Sequence, residues 1–320
     1  MVEYILDEWR SVIRREKEMP SEQYIVIAFP TDQIKREYLK DISKWPEWEI
    51  YNALGNMLGD SRGLTWLDQH YYKDIKKYGP ISLRNKSEFD ASVPLLTEYE
   101  LRVIRAVENR DSEPVWPGLT WVLDLLPYWP RVAIDAISAY FLAHAQVLSD
   151  LRLNGLDDAT AIIRYRYIVQ DPAARKSKVA FLRSLDPIDI EYLAAALYAA
   201  MKYKVEITPG QKDGGVDVVA TKENEVIFIE CKNWEERVNV ETVRAFTAAV
   251  LSEPASRGVM ISVSGFTDKG PMSATDWVGA PMRRARMELV DGQKFVQLLN
   301  EFLGVDWNSK IDRIIASQKR

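Results

Sequence analysis

Cysteine is almost missing from this 320-residue chain. Cys231 is the single one, which excludes an internal disulfide and any zinc site built on cysteines. Histidine is nearly as scarce: His70 and His144 are the only two, neither sits in a metal-ligand spacing, and neither is assigned a role. Positive charge is not in excess, with 42 Lys and Arg against 47 Asp and Glu and a formal net charge of -5. A uniformly basic nucleic-acid coat is therefore excluded, whereas a local basic patch is not. A long apolar run is also lacking. The most apolar stretch, RVAIDAISAYFLAHAQVL at residues 131–148, contains Asp135, Ser138, His144 and Gln146. It reads as a buried helix, because a membrane span needs ~20 predominantly apolar residues. Residues 1–19 are charged and amphipathic, without the apolar core or small-residue cleavage site of a signal peptide. These absences together predict a cytoplasmic protein of a reducing compartment, with no membrane partner.

What is present divides the chain. Residues 1–170 carry helical spacing almost throughout: Val2, Ile5, Leu6, Trp9, Val12 and Ile13 fall on one face, and further helices are expected near 33–42, 64–78, after the TEYE at 97–100, and over 131–148 and 159–169. YIVIAFP at 24–30 is the strand candidate of this region. The aromatic and proline-rich stretch at 114–130, with Trp116, Trp121, Tyr128 and Trp129, reads as a packed corner of a core, as a base-stacking surface or as a cage for a modified group. The role of this mostly helical domain is left open between recognition, regulation and partner binding.

Residues 171–185 read as a linker carrying Arg175, Lys176, Lys178 and Arg183. It is either a solvated connector or a basic strip that holds a phosphate backbone. From Asp186 the pattern changes. Asp186 and Pro187 form a helix start, and the order that follows is α-β-β-α-β-β-α over 186–304, which predicts an α/β domain with a mixed sheet flanked by helices. Residues 305–320 remain as a C-terminal tail.

The chemistry concentrates in KDGGVDVVATKENEVIFIECKNW, residues 212–234. It reads as two strands around a polar turn, yet it carries Asp217, Glu230 and Lys232. Residues two apart on a strand share a face, so Glu230 and Lys232 project together, and a hairpin brings Asp217 towards Glu230. Charges on a half-buried sheet are costly unless they are paired or hold a cation. Two carboxylates and an ammonium fit a hard divalent ion, and Mg²⁺ takes one or two carboxylates with waters and a substrate phosphate. A Glu-x-Lys on a strand is usually a plain surface face. It is the combination with Asp217 behind an amphipathic helix that points to phosphodiester hydrolysis.

The segments IEYLAAALYAAMKYKVEI, DGGVDVVA, VIFIECKNW, RGVMISVSGFT and MELVDGQKFVQLL resemble, in order, the Mrr-type catalytic domain of the PD-(D/E)xK restriction-endonuclease superfamily. The resemblance covers about the last third of the chain. It implies that Asp217 and Glu230 bind a divalent metal, Mg²⁺ with Mn²⁺ as substitute, that Lys232 is the catalytic lysine, and that Glu191 on the first helix assists. Relatives often carry glutamine where Glu230 stands. Their first helix usually ends in Gly-Tyr, where this chain has Lys202 before Tyr203. The stretch FTDKGPMSATDWVGAPMRRAR is longer than in relatives, and its Arg283, Arg284 and Arg286 are read either as a phosphate clamp or as a solvated loop. The expected activity is metal-dependent DNA endonucleolysis in prokaryotic restriction or anti-phage defence, by a homodimer or within a larger defence complex. A junction-resolving, repair or RNA-directed nuclease, or a non-cleaving nucleic-acid-binding subunit, is the alternative.

Overall fold

The computed structural model describes residues 5–16, 26–59, 66–79, 98–108, 119–146, 148–169, 171–208, 215–252, 254–270 and 273–319. The chain divides into two compact units, Met1–Gln170 and Asp171–Arg320.

The described elements of the first unit are helical: α1 (Leu6–Ile13), α2 (Asp32–Lys40), α3 (Glu47–Leu58), α4 (Trp66–Tyr78), α5 (Glu98–Glu108), α6 (Pro130–His144) and α7 (Asp150–Ile163), the last running into a π-helical turn, Arg164–Val169. Residues 26–30 are not a strand. The Phe29 amide donates instead to the Asp158 carboxylate at 2.7 Å, so a buried side chain supplies the acceptor that a sheet partner would have given. Helix α3 was not anticipated. It buries Ile50, Ala53, Leu54 and Met57, and its fully buried Glu49 accepts from Arg10 at 2.7 Å and Arg14 at 2.6 Å. Trp116 lies outside the described residues. Trp121 is buried, as a packed corner requires, but Tyr128 and Trp129 are half exposed. His144 is buried, with Nε2 2.7 Å from the Tyr99 hydroxyl, a structural histidine.

The second unit is built on five strands: β1 (Lys204–Ile207), β2 (Val218–Lys222), β3 (Glu225–Lys232), β4 (Arg257–Ser262) and β5 (Met287–Asp291), in spatial order 1-2-3-4-5. The β1–β2 and β2–β3 pairs are antiparallel, and β3–β4 and β4–β5 are parallel. The sheet is mixed, as expected, but β1 is an addition to the expected order. It is an edge strand of four residues in which Lys204 and Glu206 face solvent, too short to stand out from the end of the preceding helix. The helices are α8 (Pro172–Arg183), α9 (Pro187–Ala200), α10 (Val240–Ser252), the short α11 (Ala274–Gly279) and α12 (Pro281–Arg284), α13 (Gly292–Leu303) and α14 (Ile311–Gln318).

Alternation along the strands makes two cores. Ile227, Ile229 and Cys231 of β3, with Val259 and Ile261 of β4, pack under α9 and α13. Phe228 and Met260, on the other face, pack against Val243, Phe246 and Val250 of α10. The parallel β3–α10–β4 crossover thus covers the face opposite α9.

Two expectations are corrected here. Residues 171–185 are mostly helix, not linker: Asp171 caps α8 by accepting from the amides of Ala173 and Ala174 at 2.8 and 3.0 Å, Pro172 sits in the first turn, and Leu182 is fully buried. The proline that suggested a break is at a position where it starts a helix. The tail is likewise part of the core, because Trp307 is fully buried and α14 packs on α9. Lys202 takes φ 70°, a lysine in the left-handed region, at a cost of about 1–2 kcal/mol. No described helix is long and apolar enough to cross a membrane.

Candidate active site

The candidate site lies at the edge of the sheet where β3, β4 and β5 end. Asp217 stands one residue ahead of β2. Its amide donates to the Ile229 carbonyl at 2.9 Å, and its own carbonyl accepts from the Thr208 amide at 3.0 Å. The backbone of Asp217 is therefore held on both sides. Its carboxylate accepts from the Cys231 amide at 2.7 Å, a bond that aims it across the end of β3. The Thr208 hydroxyl also donates to the Val216 carbonyl.

Glu230, only 5% exposed, makes a 2.6 Å ion pair with Lys232 Nζ. Period two puts both on the α10 face, as expected for a Glu-x-Lys on a strand. Gly215, at φ 96°, lies against this carboxylate: a Cβ there would meet Glu230 Oε1 at 3.3 Å. Glycine is needed both for the left-handed backbone and for the space. Gly214 lies outside the described residues.

The electrostatics connect these groups. Burial pushes the pKa of Asp217 up, and the Cys231 amide and Lys232 hold it back. Burial likewise raises Glu230, against the pull of Lys232, with Asp217 adding a further push upward. Glu191 of α9 is raised to about 7, by burial first and by Asp217 second, with Lys232 opposing. Asp217 is thus the carboxylate felt by both others, and Lys232 is the cation that offsets all three. Glu230 and Lys232 are joined by an ion pair, Asp217 is held on the neighbouring Cys231 amide, and Glu191 lies within the electrostatic reach of Asp217 and Lys232. Cys231 itself is buried, and burial holds its thiol well above the ordinary value, so it stays a neutral thiol.

As to a metal, no group of three or more His, Cys, Asp and Glu side chains suited to hold an ion occurs among the described residues. The donor set fitting a cation is the pair Asp217 and Glu230. Two desolvated carboxylates whose charged forms are disfavoured, in a cradle kept open by Gly215, suit a hard cation that keeps several waters. Glu191 adds a third carboxylate to the same field.

The expected basic residues fare differently. Lys178 is not displayed to solvent: its ammonium donates to Asn300 Oδ1 at 2.7 Å and to the Val305 carbonyl at 2.5 Å, and desolvation lowers its pKa to about 8. It ties α8 to the chain after α13, so its placement as a phosphate ligand is withdrawn. Arg283 donates to the Trp277 carbonyl and lies 4.6 Å from that ring's centre. Arg286 donates to the Ala255 carbonyl at 2.9 Å. These two brace the connection into β5 rather than forming a clamp. Exposed Arg284 donates to the Gly279 carbonyl at 2.8 Å. Arg175 and Lys176 stay on the α8 surface, half-buried and exposed respectively.

Two residues after Lys232 were overlooked. Asn233 Nδ2 donates to the Leu185 carbonyl at 2.7 Å and the Leu182 carbonyl at 3.3 Å, which anchors the α8–α9 turn beside the site. Trp234 is about half exposed, with its ring centre 5.4 Å from Lys232 Nζ. An asparagine and an exposed aromatic directly after a charged strand end were the available signal.

Comparisons with known proteins fall on this part of the chain. Residues 182–299 match the family model described as restriction endonuclease. The type IV methyl-directed restriction enzyme EcoKMrr of Escherichia coli (strain K12) is 31% identical over 107 residues, 32% of this chain and 33% of that protein. The uncharacterized protein y4cE of Sinorhizobium fredii (strain NBRC 101917 / NGR234) is 29% identical over 84 residues, 24% of this chain and 22% of that protein. The chain therefore spans a third or less of the length of these relatives. Among solved structures, the DNA modification-dependent restriction endonuclease AspBHI is 16% identical with a TM-score of 0.36, covering 47% of this chain and 41% of that one. MspJI, in complex with a 27-mer oligonucleotide, is 16% identical with a TM-score of 0.34, covering 47% and 36%. The match to the restriction-endonuclease family model thus falls on the unit that carries the mixed five-stranded sheet.

Proposed function

We propose that this chain is a divalent-metal-dependent DNA endonuclease acting in restriction of foreign DNA. One observation carries the proposal: the 2.6 Å Glu230–Lys232 ion pair and the Asp217 carboxylate held by the Cys231 amide at 2.7 Å stand together at the end of β3, inside the segment that matches the restriction-endonuclease family model. Asp217 and Glu230 would hold the ion, Mg²⁺ or in its place Mn²⁺. When bound, the ion would neutralise charge on the reacting phosphate. Lys232, held beside Glu230 by their ion pair, would offer its ammonium to the phosphate oxygens and offset the negative charge that develops there. Glu191, with a pKa of about 7, is poised to accept a proton from the attacking water near neutral pH. Cleavage of both strands calls for two such sites, hence for a pair of chains.

The name of the E. coli relative makes methylated DNA the first substrate to try, beside unmodified plasmid and linear duplex. The test is a cleavage time course for wild type, Asp217→Ala and Lys232→Ala with Mg²⁺, Mn²⁺ or EDTA. Metal-dependent cutting by wild type, with a loss of at least about 100-fold in each variant, is expected, given the ~10²–10³ cost of losing one transition-state donor. Variants that cut like wild type would remove the site assignment. A folded wild type that binds DNA and never cuts it would favour a non-cleaving subunit instead.

A further inference from the structure

Two hollows adjoin at the α8 side of the second unit, of about 300 and 440 Å³. They share Val179, Arg183 and Gln293, so they form one groove. Its cations are Arg175, Lys176 and Arg183, all from α8, and Arg237. Its two carboxylates are already engaged: Asp268 pairs with Arg237 at 2.8 Å, and Asp291 accepts from the Lys294 amide at 2.8 Å as the cap of α13. The four cations outnumber the two carboxylates, so the groove keeps a net positive charge. The first turn of α13, at Gly292 and Gln293, also faces the groove and adds the positive end of a helix dipole. Arg175 Nε is buried with no hydrogen-bond partner among the described residues, a donor whose burial is unfavourable until an acceptor arrives.

One backbone hydrogen bond links the groove wall to the strand of the candidate site. The Lys232 carbonyl accepts from the amide of Val263 at 3.1 Å, and Val263 lines the groove. Asn233 holds the carbonyls on either side of Arg183. Most of α8 precedes residue 182, so this wall lies largely outside the segment that matches the family model.

We propose that the groove carries the phosphodiester backbone of a DNA strand running on from the candidate active site, with Arg175, Lys176 and Arg183 as its phosphate ligands. This deepens the nuclease reading and rests on it. Apolar Val179 and Ala180 between the cations suit the sugar edge of the backbone, and no base-reading group is required.

The experiment measures binding of the full chain to a labelled duplex by fluorescence anisotropy across a salt series, in Ca²⁺ and again in EDTA. Arg175→Gln, Lys176→Gln, Arg183→Gln and the triple variant are compared with Lys204→Gln, a charge-matched change on exposed β1 at the opposite end of β2, across from Thr221. Each lost phosphate contact lowers the slope of log K against log salt by about 0.9. The triple variant should therefore fall by about 2 to 3, and Lys204→Gln should keep the wild-type slope. A triple variant with the wild-type slope, or a wild type that binds no duplex, overturns the proposal. So does loss of binding to inorganic phosphate or a mononucleotide with the duplex slope unchanged, since the groove would then be a small-anion site. The two readings separate cleanly: metal-dependent cutting with an unchanged slope keeps the nuclease and removes the groove, while a reduced slope without cutting by wild type does the reverse.

Discussion

Replacing Glu191 by glutamine tests the electrostatics of the site without a change of shape. In the folded chain the pKa of Glu191 is raised from 4.5 to about 7, by burial and by Asp217. A carboxylic acid raised in this way favours the fold when it is protonated. Its contribution is fully present below pH 4.5, is lost as pH rises towards 7, and is gone above that, because between the two values the folded state binds a proton that the unfolded state has released. At 1.36 kcal/mol per pH unit the difference has a ceiling of about 3 kcal/mol. Glu191 is only part-buried, and solvent screening brings the expected effect to about 1–2 kcal/mol. Asp217 and Glu230 are raised as well and act in the same direction. Glu191→Gln is permanently neutral, so at pH 8 in EDTA it should be the more stable protein by about 1–2 kcal/mol, raising the melting temperature of the second unit by about 2–8 °C. At pH 4.5 the two proteins should converge. Urea titrations at pH 4.5, 6, 7 and 8 read this directly. Stability curves of wild type and variant that run parallel across the whole range would refute the reasoning. In the cleavage assay the variant should lose activity at neutral pH while keeping the fold, which separates stability from function.

Gly215→Ala should cost about 1–2 kcal/mol through its left-handed backbone and displace the Glu230 carboxylate that a Cβ would touch; denaturant unfolding and cleavage should both suffer, and a variant with full activity would show that the cradle is not needed. Lys178→Ala removes two hydrogen bonds from a part-buried ammonium and should destabilise the second unit by about 1–3 kcal/mol, while leaving the salt slope of DNA binding at the wild-type value; a reduced slope would return Lys178 to the phosphate ligands.

The lesson of α8 is that local composition could be read but its use could not. A proline and a run of cations look the same in a linker and in the first turns of a helix, and the decision came from the Asp171 cap and the burial of Leu182. Lys178 shows the same limit at a single side chain. Its neighbours in sequence, Lys176 and Arg175, reach the groove, whereas Lys178 faces the partners Asn300 and Val305, more than a hundred residues away in the chain.

The sequence by itself determined the α/β character of residues 186–304, the pairing of Glu230 and Lys232 on one face, and the resemblance to the Mrr-type catalytic domain. Each of these rests on short-range periodicity or on an ordered set of motifs, which survive without knowledge of packing. Only the tertiary structure decided the rest. It added β1 to the sheet edge, drew the tail into the core through Trp307, and turned Arg283 and Arg286 into braces. It also brought Glu191 into the field of Asp217. These outcomes depend on contacts between residues far apart in the chain, where the free energy of burial and of long-range hydrogen bonds outweighs any preference written locally.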